Sequence, residues 1–281
     1  MQKWIVQTAT PILCGLALLL GVIALGRGAR AALHDRAGYT VAFHEIDCEP
    51  PQGMSRGAFL DEVRHLSRQT EMLHLLDEDA TARLARAFAA HPWVESVRRV
   101  QIVRRDRRDA GLRVELTYRQ PVLAVWLPSD KAPRGGNALM SARAVDRQGV
   151  LLPVSAVHTR LPVLMADVSV PAGSVGSRWG DRRVWAAAAT VAFLKPHLVR
   201  LHLDDCDIEV VGGEVVFRKP GVRVVWGHAP GHEGAGEAPA EVKLRRLLDY
   251  QANHDGLGSL EHDVRLIAYQ GHFPLTPDIQ P

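Results

Sequence analysis

Thirteen histidines among 281 residues direct attention first to metal binding. His228, His232, Glu233 and Glu237 come closest to a ligand set, because imidazole nitrogen and carboxylate oxygen are the donors a zinc-like ion takes. They fall in residues 228–240, a stretch rich in Gly, Ala, Pro and Glu with no helix or strand pattern to hold four ligands in a tetrahedron. That stretch reads as a solvated linker, and no metal is implied. Asp204 and Asp205 are of the type used in general acid–base chemistry, but two adjacent acids in a strand turn supply neither an apolar pocket nor a partner base. Arg98, Arg99, Arg104, Arg105, Arg107 and Arg108 form the densest charge cluster. Without interleaved aromatic residues to stack bases they make a poor nucleic-acid surface, and Asp106 and Asp109 mark a solvated turn. A weaker role for the same arginines is contact with anionic lipid headgroups.

The chain carries no nucleophile elbow, phosphate loop or dinucleotide fingerprint. The expectation is a noncatalytic protein with no cofactor, no metal, no nucleic acid and no small-molecule substrate. A net charge of +3 is too slight to imply a polyanionic partner. Of three cysteines, Cys14 lies in an apolar run, which leaves Cys48 and Cys206 as two small core residues or, if they meet, one disulfide.

The elements that would position any site follow from periodicity. Tyr39, Val41 and Phe43 alternate with Thr40, Ala42 and His44 as in a half-buried strand. Phe59, Leu60, Val63 and Leu66 recur at helical spacing, and a second helix is expected from about Asp77 to Ala90, ended by Pro92. Residues 97–103 and 112–118 read as two strands. That order gives a three-stranded sheet covered on one face by two helices. Farther on, residues 122–126, 144–145, 199–203, 208–211, 214–217, 222–226 and 263–269 are strand-like, with a hairpin turn at Gly212-Gly213 and a helix over 182–194 capped by Asp181. The fold class is α+β.

From Trp4 to Gly26 there is no charged residue, long enough for a helix that crosses a hydrocarbon core of about 30 Å. Residues 4–26 are therefore expected to be a single transmembrane helix, in preference to a cleaved signal peptide ending near Ala29-Arg30-Ala31. Flanking charge, Lys3 before and Arg27, Arg30 and Arg36 after, favours by itself a cytoplasmic globular part.

The run HPWVESVRRVQIVRR followed by LRVELTYRQPVLAVW resembles the signature of POTRA domains over about Tyr39 to Trp126. One such domain directly after one span resembles the FtsQ/DivIB family of bacterial division proteins. Ala144-Val145-Asp146-Arg147-Gln148-Gly149, the strand GVRVVWG at 221–227 and EHDVRL at 261–266 are similar to later strands of that family, and Lys243, Leu244, Leu247 and Leu248 to its Lys-bearing helix. The polar loop 131–143, the 228–240 linker and a proline-rich tail depart from it.

The resemblance implies a stub and anchor over 1–36, a POTRA-like domain over 37–120, a mainly β domain with flanking helices over 121–271 and a flexible tail over 272–281. It further implies a bacterial inner-membrane protein of the division septum, with a cytoplasmic amino terminus and periplasmic domains. The function implied is a division scaffold whose last strand receives the coiled-coil partners FtsB or DivIC, and FtsL. That carry-over maps onto Val264, Arg265, Leu266, Ile267, Ala268 and Tyr269. An edge strand presents unpaired N–H and C=O groups to which a partner segment can add. The alternative is a POTRA-type envelope receptor that captures extended segments during protein transport or outer-membrane assembly.

Overall fold

The computed structural model describes residues 17–26, 28, 39–104, 110–127, 142–156, 160–220, 222–253 and 264–266. Residues 17–26 are helical (α1). The described part of this helix, residues 17–26, is about 15 Å long at 1.5 Å per residue. Among the described residues no helix is long and apolar enough to cross a membrane. This corrects the expectation of a single amino-terminal transmembrane helix, and with it the single-pass inner-membrane location. Residues 4–16, and the tail 272–281, lie outside the described residues.

The chain is mixed α+β and divides into two compact units, Met1–Tyr118 and Arg119–Pro281. In the first, β1 (Thr40–Ala42) is followed by α2 (Arg56–Ser67), β2 (Met72–His74), α3 (Ala80–Ala89), β3 (Val94–Arg104) and β4 (Ala110–Tyr118). The expected three-stranded sheet is instead two antiparallel pairs, β1 with β2 and β3 with β4. A 3-10 turn at Phe43–Glu45 stops β1 after three residues, and the chain forms a backbone bridge to β4 at Asp47, whose N–H donates to Leu112 O (2.9 Å) and whose C=O accepts from Val114 N (2.9 Å). Strand β2 escaped the sequence reading because three residues carry no alternation signal; it exists through its pairing with β1, Val41 opposite Leu73.

Helix α2 begins where the Ser55 hydroxyl accepts the Ala58 amide at 3.2 Å, which satisfies a first-turn donor. It buries Phe59, Leu60 and Val63, while Leu66, at the same helical spacing, is 53% exposed. Helix α3 starts three residues later than the acidic run suggested, because Asp77 sits in the preceding turn and accepts from Arg83 at 2.7 Å. In the core of this unit Phe88 stacks on Phe43 with ring centroids 6.3 Å apart and meets Phe59 at a tilt with centroids 5.8 Å apart.

The second unit is built on one seven-stranded mixed sheet. In chain order its elements are β5 (Leu123–Trp126), β6 (Ala142–Val145), β7 (Val163–Leu164), α4 (Arg182–Leu194), β8 (Asp207–Val211), β9 (Glu214–Lys219), β10 (Val222–Gly227), α5 (Ala240–Asn253) and β11 (Val264–Arg265). Their order across the sheet is β11-β10-β9-β8-β7-β5-β6. Ile208, Val210, Val215, Phe217, Val224 and Trp226 alternate into a core shared with Val184, Ala188 and Val191 of α4. Val216 and Val225 are buried on the opposite face, as a central sheet region requires.

Residues 199–203, expected as a strand, form turns. Pro196 in the 3-10 turn Lys195–His197 breaks α4, and Leu201 N and Leu203 N then bond back to His197 O and Leu198 O. These short-range bonds bury Leu198, Leu201 and Leu203 without an extended backbone. The expected hairpin stands: Gly212 and Gly213, with φ +60° and +91°, join β8 to β9. Cys48 and Cys206 are buried free thiols in separate units, their pKa values pushed by burial up to about 11 and about 12.

Candidate strand-addition edge and the ion pair behind it

Strand β11 is the outermost strand of the sheet on one side and pairs in parallel with β10, Val264 opposite Val224 and Arg265 opposite Val225. The Leu266 amide donates to Val225 O at 3.0 Å. Because successive residues of a parallel strand direct their N–H and C=O to alternate sides, the backbone of Arg265 faces away from β10. Val264, Arg265 and Leu266 are thus placed at the edge, Leu266 buried. Ile267, Ala268 and Tyr269 lie outside the described residues.

A parallel neighbour cannot be reached by a hairpin, and α5 supplies the crossover between β10 and β11. Leu247 of α5 and Leu266 join one core cluster, and Arg246 Nη1 reaches Leu266 O at 3.5 Å. The position of the edge therefore depends on what holds α5. Its anchor is Lys243, fully buried, whose ammonium lies 4.7 Å from the centre of the Trp226 ring on β10. Phe193 of α4 packs on the same ring at 5.9 Å.

The Lys243 charge is matched by Glu237. Lys243 Nζ donates to Glu237 Oε1 at 2.7 Å and to His228 O at 3.3 Å. Glu237 also accepts from His228 N (2.8 Å) and Gly234 N (2.8 Å), and its Oε2 meets His228 Nδ1 at 2.7 Å. Burial alone would raise the carboxyl pKa, but the bonds from Lys243, Gly234 and His228 outweigh it and hold the value at about 2. Glu233 accepts the Ala240 amide at 3.1 Å, at the first residue of α5.

The 228–240 stretch is thus a bonded loop around a buried ion pair, which corrects its reading as a solvated linker. Its glycines misled: they serve turns of positive φ at Gly231 and Gly236. A Glu six residues before a Lys on an otherwise apolar helix face was the signal available. Among the described residues no group of three or more His, Cys, Asp or Glu could hold a metal ion, and two of the four candidates, His228 and Glu237, are bonded to each other.

A second buried acid fixes the far side of the sheet. Asp146 accepts from Gln148 N (2.8 Å) and Val150 N (2.9 Å) through Oδ1 and from Arg119 Nη1 (2.7 Å) through Oδ2. This is why the strand-then-turn pattern at 144–149 needs both Asp and Gly: Gly149 has φ +70°, and a Cβ there would stand 3.3 Å from Trp185 Cα.

The other sequence candidates are simpler. Asp205 is exposed and pairs with Lys219 at 3.2 Å, which lowers its pKa. Arg98 donates to Thr117 Oγ1 at 2.7 Å across the β3–β4 hairpin, and Arg105, Arg107 and Arg108 lie outside the described residues. The chain matches no model of a known protein family, and no curated protein is significantly similar to it.

Proposed function

We propose that this protein is a noncatalytic scaffold that holds an extended partner segment as an added strand on β11, in the manner its sequence resemblance to FtsQ/DivIB division proteins implies. The observation that carries the reading is the outward-facing backbone of Arg265 on the outermost strand of a seven-stranded sheet. Main-chain bonds to that edge supply affinity, and alternate side chains supply selectivity. The partners proposed are FtsB- or DivIC-type and FtsL-type coiled-coil proteins, and the role is in cell division.

The test is co-purification of those partners with Arg265→Pro and Arg265→Ala. Proline is tolerated in an edge strand when its nitrogen faces outward, so the first variant removes one outward donor and keeps the β10 ladder. The reading expects Arg265→Pro to lose the partners and Arg265→Ala to retain them. Equal retention by both variants contradicts it.

The length of β3 favours a second reading, a POTRA-type receptor for extended segments. Its eleven residues pair only with β4 among the described residues. Capture that survives Arg265→Pro but is lost when β3 is capped by proline would select this reading.

A further inference from the structure

We propose that the second unit carries a separate site for an acidic peptide, in a cleft where arginines face an aromatic wall. The cleft lies between the 148–149 turn, the first turn of α4, the end of β8 and the 228–232 loop, with a volume of about 580 Å³, within the usual range of ligand sites. It is open to solvent, so a peptide side chain can enter while its main chain passes outside.

Charge decides what it takes. Arg178 and Arg182 line the cleft, are exposed, and have no ion-pair or hydrogen-bond partner among the described residues. The one acid in the wall, Asp181, is already neutralised. It accepts from Arg183 Nη2 at 2.8 Å and from Arg183 N at 2.9 Å, and these bonds hold its pKa at about 2. Two guanidinium forks are left without a carboxylate, a geometry that suits bidentate carboxylate binding.

The wall decides the rest of the ligand. Trp185 is half-buried and meets His232 edge-on at 4.6 Å, which fixes both rings. His228 has its Nδ1 committed to Glu237, and its Nε2 lies where a side chain at Gly213 would come within 3.4 Å. Ala186, Val210 and Ala229 complete an apolar floor. The matching segment carries carboxylates beside one aromatic residue. None of the cleft residues belongs to β10 or β11, and the two arginines take no part in the Glu237–Lys243 ion pair behind α5.

The experiment is capture of the purified chain on an array of immobilised octapeptides, acidic with one central Phe or Trp, beside matched sets with Lys for the acids and Ala for the aromatic. The acidic aromatic set should retain the protein about tenfold better than either matched set, the scale of one charge-assisted hydrogen bond. Arg178→Ala with Arg182→Ala should remove that preference at an unchanged thermal midpoint, Arg182→Gln alone should reduce it, and Arg265→Pro should leave it intact. Equal capture of acidic and basic sets, unchanged capture by the double variant, or loss of capture in Arg265→Pro overturns the proposal.

Discussion

The first unit is centred on aromatic rings, Phe43, Phe59 and Phe88, and the one polar residue buried there among the described residues is His91, whose ring lies edge-on to Phe59 at 4.8 Å. The second unit buries Asp146, Glu237 and Lys243, each with its charge matched. Apolar packing is non-directional and tolerates small shifts, whereas a buried ion is stable only with its partners in one geometry. The ions stand where position matters most: behind the crossover helix that sets β11, and in the turn after β6.

That contrast is broken most directly at Lys243. Lys243→Ala leaves the Glu237 carboxylate buried without its ammonium, and we expect a loss of about 3–5 kcal/mol in the second unit's stability. Hydrogen exchange of second-unit peptides in urea checks it. The double variant Lys243→Met with Glu237→Gln should recover most of the loss, because removing both charges removes the desolvation problem as well.

In the first unit the comparable injury is a void. Leu60→Ala, at a position 1% exposed, should cost about 2–5 kcal/mol, read from exchange of first-unit peptides, with no change in the second unit.

Acid should separate the units by order. Burial lowers the His91 pKa, opposed by Glu62, so the unfolded state takes up more protons than the folded one below about pH 6.5 and the first unit loses stability from there downward. Glu237, with a folded value of about 2 against an ordinary 4.5, contributes stability that is whole above pH 4.5 and is lost as pH falls toward 2. A pH series of thermal unfolding should show the first unit weakening earlier, and His91→Gln should remove that early slope.

The sequence is instructive at its failures. Periodicity located Phe59, Leu60 and Val63 because an apolar face repeats every turn, but it also marked Leu66, which the end of α2 leaves exposed. Residues 199–203 were apolar enough for a strand, yet Pro196 and bonds back to residues 197–199 made turns of them. The ion pair was hidden because Glu237 and Lys243 each look like surface residues alone. The strand expected over 263–269 is described at Val264–Arg265. What periodicity could not give was that α5 carries the chain across to lie parallel to β10. The apolar opening suggested a span by length, while among the described residues no helix is long and apolar enough to cross a membrane.

Leu66→Ser should change first-unit stability by no more than about 0.5 kcal/mol in the urea series used for Leu60→Ala, as expected for a surface position.

Strand addition is tested most directly by amide hydrogen exchange at single-residue resolution across 264–266, with and without the proposed coiled-coil partners. Strand addition predicts that the Arg265 amide gains protection on binding, while the Leu266 amide, already bonded to Val225, changes little. Partner binding that leaves Arg265 exchange unaltered would contradict strand addition at β11.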